Sequence, residues 1–274
     1  MVGSVPSTTV LAPKWASALT KLGRLIYIAW FGFIVGYRKT TLGPLWLLVG
    51  PTLFIALLGA IYANVGSIET AKLIPSMAVG LIVWTLIGGF AGQSATVFRR
   101  NRAQLLQGSM ALSEIVMVDV ITTVLEFLHQ FPIIIIVFII YGQSFTLYSL
   151  LSLVGLGLII ANGYWLTMVF GIVGARYRDL GEIMSAILRI AFLATPIIWI
   201  VPTADGGTFN RGELLGPFLL LNPFYHLLEV IRAPLLGNPI AWSTWLLVIL
   251  MTIGGFALMN FMYRRFARLV PLWV

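Results

Sequence analysis

Six times this chain runs for about twenty residues or more with apolar side chains in the large majority, enough each time to cross a bilayer as a helix. The runs are 44–65, 74–97, 114–141, 147–174, 180–202 and 242–263. Nothing soluble can hide that much apolar surface. Of the 274 residues, 59% are hydrophobic and 9% charged, against roughly 25% charged in soluble domains. Lipid offers a backbone no hydrogen bonds, and a helix satisfies its own. The expected fold is an all-α integral membrane protein with six transmembrane helices in a single domain.

The net charge of +8 would suggest nucleic acid in a soluble chain. Here the basic residues stand between the apolar runs, where they set topology and meet anionic lipid headgroups. No nucleic-acid partner is expected. Lys14, Lys21, Arg24, Arg38 and Lys39 precede the first run, Arg99, Arg100 and Arg102 follow the second, Arg176 and Arg178 follow the fourth, and Arg264, Arg265 and Arg268 follow the last. These thirteen fall on one side; Lys72, Arg211 and Arg232 fall on the other, and Arg189 lies within a run. The positive-inside rule places both termini in the cytoplasm, and an even number of spans agrees. Cysteine is absent, which removes disulfides, thiol catalysis and Cys-ligated metals. Residues 1–24 hold no apolar core before a cleavage site, so no signal peptide is expected there.

Two apolar segments do not read as simple spans. Residues 15–37 carry Lys14, Lys21 and Arg24 at helical spacing among Trp15, Leu22, Leu25, Ile26 and Trp30. That pattern suits an amphipathic helix at the cytoplasmic membrane surface, with a seventh span as the alternative. Residues 212–239 are broken by Pro217, Pro223, Pro234 and Pro239. Each proline removes a donor and stops or kinks a helix. Two short re-entrant helices that cap the outer side fit better than one kinked span.

Charges within the runs need partners or water. Arg189 stands about ten residues, roughly 15 Å, into the fifth helix. It could pair with an acid of the third, where Glu114, Asp119, Glu126 and His129 occur, the last three forming one polar stripe with Thr122 and Thr123. The stripe either lines a pathway or ties two helices together. Before the fifth helix, Asp179 is placed to cap it, and Glu182 stands at capping-box spacing. The loop 98–112 is short, basic and helix-prone, fit either to dock a soluble subunit or to sit in solvent. Among the aromatics, Trp46, Tyr62, Trp84, Tyr164 and Trp165 could stack on sugar rings along a pore, or serve as interface belts and packing. No phosphate loop, HExxH or Gly-x-Ser-x-Gly occurs, and two distant histidines make no metal site. An enzyme is not expected, nor any bound cofactor.

Three stretches in order, "YRKTTLGPLWLLVGPTL" (37–53), "ARYRDLGEIMSAILRIAFLATPIIW" (175–199) and "LNPFYHLLEVIRAPLLG" (221–237), resemble the membrane subunit of a type-2 ABC exporter. Within that superfamily the chain resembles the permeases that export lipid-linked polysaccharides such as O-antigen, capsule or teichoic acid. The Arg-Tyr-Arg-Asp-Leu motif leans toward the O-antigen branch. The resemblance implies a multi-pass protein of the bacterial cytoplasmic (inner) membrane. It implies a homodimer bound to a separate cytosolic P-loop ATPase, two of each, with ATP and Mg on that partner. It implies a coupling helix around Arg99, Arg100, Arg102 and Gln104. It implies headgroup entry at Arg38, Lys39, Arg176, Arg178 and Arg189, and a pathway lined by aromatics. It implies an outer gate at about 214–236, with Pro217, Pro223, Phe224, Tyr225, His226, Glu229 and Arg232. Rival readings are a permease for a drug or small lipid, a proton-coupled transporter using Asp119, Glu126 and His129, and a glycosyltransferase. The first lacks support from a large outer domain, the second from inverted repeats, the third from a carboxylate cluster.

Overall fold

The structure, a computed structural model, describes residues 14–65, 70–199 and 218–274. Among them all regular structure is helical. In chain order the helices are α1 Lys14–Tyr37, α2 Trp46–Val65, α3 Thr70–Ser94, α4 Val97–Arg100, α5 Arg102–Leu106, α6 Leu112–Ile140, α7 Leu151–Arg176, α8 Leu180–Ala194, α9 Pro223–Leu235, α10 Trp242–Phe266 and α11 Val270–Trp273. The expected Pro217 and the first part of 212–239 lie outside the described residues.

The bundle is built on α3, α6 and α7, which pack on one another. The middle of α3 is wrapped on all sides, with Met77, Ala78, Val79, Ile82 and Val83 fully buried. By contrast α2 and α10 are peripheral: α10 buries only Thr244, Val248 and Gly255. Without a hydrophobic drive between helices in lipid, close approach needs small residues. α7 supplies them. A Cβ at Gly174 would stand 2.0 Å from the Ala95 carbonyl oxygen, and one at Gly155 would stand 2.2 Å from that of Val230.

Six helices are long and apolar enough to cross a membrane, and they make the chain a multi-pass membrane protein: Leu19–Tyr37, Gly43–Tyr62, Thr70–Ser94, Leu112–Ile140, Leu147–Arg176 and Trp242–Phe266. The set differs from the expected one at two places. The N-terminal helix belongs to it, because apolar residues occupy both faces beyond Arg24. Leu25, Ala29 and Phe33, four apart, bury against α6, while Tyr27, Phe31 and Ile34 stay exposed. The run 180–202 does not belong to it, because α8 stops at Ala194 after 15 residues. Proline at 196 disfavours the helical conformation for the residue before it, and Thr195 is extended, at φ −99° and ψ 137°.

Asp179 does not cap α8. Its own backbone is helical, its side chain accepts no cap bond, and the Ile183 N–H donates to its carbonyl instead. Two helix C-termini close on glycine. After α5, Gly108 at φ +66° lets the Ser109 N–H donate to Gln104 O and its own N–H to Leu105 O. Gly237 at φ +75° closes α9 the same way, through Asn238 to Ala233 and Gly237 to Pro234.

Candidate functional site

The charged residues gather at the two ends of the bundle and are held differently at each. At the first end, here called the basic end, the link between α3 and α6 is folded into α4 and α5. Arg100 donates to Gln93 Oε1 at 2.8 Å and to Asp119 Oδ1 at 2.8 Å. Arg99 donates to the Arg178 carbonyl at 3.3 Å, and the Arg102 Nε–H to the Val274 carbonyl at 3.0 Å. Leu105 is buried, and Gln104, Leu106 and Gln107 face outward. Glu114 accepts from Lys21 and Arg24 at 3.0 and 2.9 Å, and also from its own helix start at Ala111 N. Arg176 lies over the Trp273 ring, 5.5 Å from its centroid.

The expected polar stripe of α6 therefore divides. Asp119 faces Arg100. Glu126 is within electrostatic reach of Tyr37 of α1, and His129 packs its ring on Phe33 and Trp30 at 4.7 and 6.2 Å between centroids. Thr122 and Thr123 spend their hydroxyls on α6 carbonyls, at Val118 and Asp119. Contacts from Glu114 to His129 cover about 22 Å of α6 at 1.5 Å per residue, so α1 runs obliquely up α6.

Arg189 does not pair with those acids, since Glu114 and Asp119 are occupied by α1 and α4. It is exposed on α8, among Ile183, Ile187, Ile190 and Leu193, themselves 44–70% exposed. Arg38, Lys39, Arg178 and Arg189 use no side-chain bond to any described residue. The five expected headgroup residues stand on separate elements. Arg38 and Lys39 follow Tyr37 on the turn after α1, Arg176 and Arg178 end α7 and begin the turn to α8, and Arg189 stands about 15 Å further along α8.

The aromatics also divide. Trp84 meets Phe192 of α8 and Phe224 of α9 at 5.8 and 5.6 Å. It lines a cleft of about 240 Å³ with Gly50, Pro51, Phe54, Leu81, Thr85 and Phe192. Beneath it the Thr85 hydroxyl donates to the buried Gln130 Oε1 at 2.8 Å. Trp46 and Tyr62 lie on peripheral α2, Trp46 49% exposed. Tyr164 and Trp165 turn the other way, to α10. Tyr164 stacks on Phe256 at 6.3 Å, and Trp165 covers Gly255 while donating to Asn162 Oδ1 at 2.8 Å.

At the second end α9 is wrapped by α7, α3 and α10. Pro223 sits in its first turn, where a missing N–H costs nothing, and the Asn222 side chain accepts from Phe224 N at 3.0 Å. Asn222 also donates to the Ala194 carbonyl and to Thr195 Oγ1, at 3.4 and 3.0 Å. Arg232, 6% exposed, donates to the Pro196 carbonyl and to Glu229. His226, 2% exposed, bonds Thr244 Oγ1 at 3.2 Å and the Leu220 carbonyl at 3.0 Å. Phe224 faces Trp84, and Tyr225 sets its ring edge-on to His226. The expected gate residues thus hold the broken end of α8. Among the described residues no group of acids and histidines could hold a metal ion.

The reading from sequence missed three features: the α7 glycines, the Trp273–Arg176 contact and the α8 break. Gly155, Gly163 and Gly171 recur every eight residues, and Pro196 stands in plain view; the Trp273 contact spans 97 positions and leaves no local pattern.

No family model matches the chain. It is similar to an O-antigen export system permease protein RfbA of Myxococcus xanthus, 25% identical over 201 residues, 72% of this chain and 74% of the relative. It is similar to two proteins of that name from Klebsiella pneumoniae. One is 25% identical over 167 residues, 60% of this chain and 64% of the relative. The other is 22% identical over 241 residues, 86% and 90%. The order of the three motifs, the helix architecture and this similarity point the same way: along most of its length the chain is similar to membrane permeases of O-antigen export.

Proposed function

We propose that the chain is the transmembrane subunit of an ATP-driven exporter that moves lipid-linked polysaccharide, O-antigen, out across the cytoplasmic membrane. The observation that carries this reading is the similarity to three O-antigen export permeases along 60–86% of the chain. The energy comes from a separate P-loop ATPase, which binds ATP and Mg and docks on the outward side chains of α4 and α5, Gln104 and Leu106 among them. Both termini lie in the cytoplasm beside that partner.

The working unit is a homodimer with two ATPase subunits. Support comes from Arg189. Nothing described in its own chain pairs with it, and a bare guanidinium against acyl chains costs several kcal/mol or more. The α8 face that bears it therefore turns to a water-filled space, which a second copy closes off. There Arg189 meets the pyrophosphate of the lipid carrier, for which a planar two-pronged donor is suited. Arg38, Lys39 and Arg178, unengaged by side-chain bonds, draw the headgroup in. Trp84 with Phe192 offers ring faces to the sugars. α9 closes the far side as a re-entrant gate.

The test is gentle affinity purification from the native membrane, followed by mass spectrometry. A stoichiometric P-loop ATPase supports the reading, and a carbohydrate-binding domain on it supports O-antigen. Recovery of the permease alone, with export intact, would sink it.

A further inference from the structure

Residues 268–274 fold back under the basic end of the bundle. Helix α10 ends at Phe266, and α11, four residues with Pro271 in its first turn, follows at once. Val270 is wholly buried. Trp273 sits 6.2 Å from Phe266 and beneath the Arg176 guanidinium at 5.5 Å. The next residue, Val274, accepts from Arg102 at 3.0 Å. α11 thereby touches both α5 and α7. Arg176, one of the residues expected at headgroup entry, makes this contact while staying exposed.

α5 has little else to hold it. It is five residues long, and only Leu105 is buried. Arg99 and Arg100 anchor α4, one turn earlier. The Schellman bonds at Gly108 fix its end to itself, not to the bundle. Besides Leu105, which reaches the main core, α5 is tied by Arg102 to Val274, and Val274 is held beside Trp273, which packs on Phe266 and under Arg176.

We infer that the carboxy-terminal segment 268–274 is a clamp that positions the coupling helix α5, with Trp273 and Arg176 as its latch and Arg102 as its grip. This rests on the exporter reading for its consequence in transport, though not for the clamp itself. A push from the ATPase on α5 then passes through α11 into α7, the hub of the bundle, as well as through α4, which packs on α6 and α7. Trp273 is a positioning residue that never needs to touch substrate.

The natural absence of cysteine makes the test clean. A nitroxide on Gln104→Cys reports α5, and one on Ser243→Cys, at the far end of α10, reports the bundle. In the purified permease, Trp273→Ala should raise the mobile fraction at position 104 about two- to fivefold, the range of a partly exposed cation–π contact. Position 243 should not change. Trp273→Phe, which keeps a ring face, should recover most of the immobility. Arg176→Ala should match Trp273→Ala, and the double variant should add nothing further. Unchanged mobility at 104, or an equal rise at 243, would overturn the clamp. With the ATPase bound, Trp273→Ala should keep the partner but export less per ATP hydrolysed. Full export per ATP alongside a mobile α5 would overturn the positioning role. A permease that binds no ATPase at all would fail the exporter reading, while the label still reports on the clamp.

Discussion

The two ends of the bundle use the same residue types under opposite conditions. At the basic end the ion pairs are half in water: Arg24 and Arg100 are 52% and 42% exposed at the side chain, against Glu114 and Asp119 at about a tenth. At the α9 end Arg232 and Glu229 are 7% and 16% exposed, and Arg232 and His226 each also bond a backbone carbonyl. Exposed pairs contribute about 0–1 kcal/mol and can be exchanged at little cost. Buried ones add little net stability, yet breaking them leaves an unpaired charge at about 3–5 kcal/mol. One end is built to let go and re-form; the other fixes its geometry once.

The largest effect should come from Arg232→Ala, which strands Glu229 and frees the Pro196 carbonyl. A loss of about 3–5 kcal/mol should show as a large fall in the melting temperature of the detergent-solubilised protein. Parental melting would erase the distinction between the ends. Next come the glycines. Gly155→Ala and Gly174→Ala each drive a methyl into a backbone carbonyl, an overpacking cost of about 1–3 kcal/mol or more. Gly155→Ala should loosen α9, and Gly174→Ala should loosen 97–106, as read by hydrogen exchange on each segment. Identical exchange maps would mean that the ends are not separately held.

Arg100→Ala should cost less stability, about 1–3 kcal/mol, because a mostly buried Asp119 loses its donor. It should abolish export well before it unfolds the protein, and Asp119→Asn should restore part of the stability but not the export. Smallest of all, Arg189→Gln should shift stability by no more than about 0.5 kcal/mol, as befits an exposed side chain. It should still cut export sharply. If folding and export fall together, Arg189 is structural after all.

Five of the six expected runs match helices long and apolar enough to cross a membrane, because about twenty apolar residues in lipid have one solution, and the basic residues stand out as clusters between runs. Both signals are local. What escaped was long-range pairing. Glu114 looks available to any cation, and nothing near it in the chain says that Lys21 and Arg24, some ninety positions back, already hold it. Asp119 to Arg100 was closer but read as part of a stripe. The charge that fits no local role, Arg189, could on sequence pair with an acid of α6, and the structure shows no such pair among the described residues. The α8 boundary was an error of weight: hydropathy carried the run through to 202, while a single Thr-Pro step ended the helix.

That step bears on how the protein is made. Fifteen residues of α8 extend about 22 Å, short of the roughly 30 Å hydrocarbon core, and its last carbonyls are satisfied by Asn222 and Arg232 from α9. Released into lipid alone, the stretch would expose those carbonyls at several kcal/mol each. It therefore cannot leave the insertion machinery as an independent helix. It must wait in shelter until α9 has been synthesised behind it, and then enter as a pair against α3 and α7.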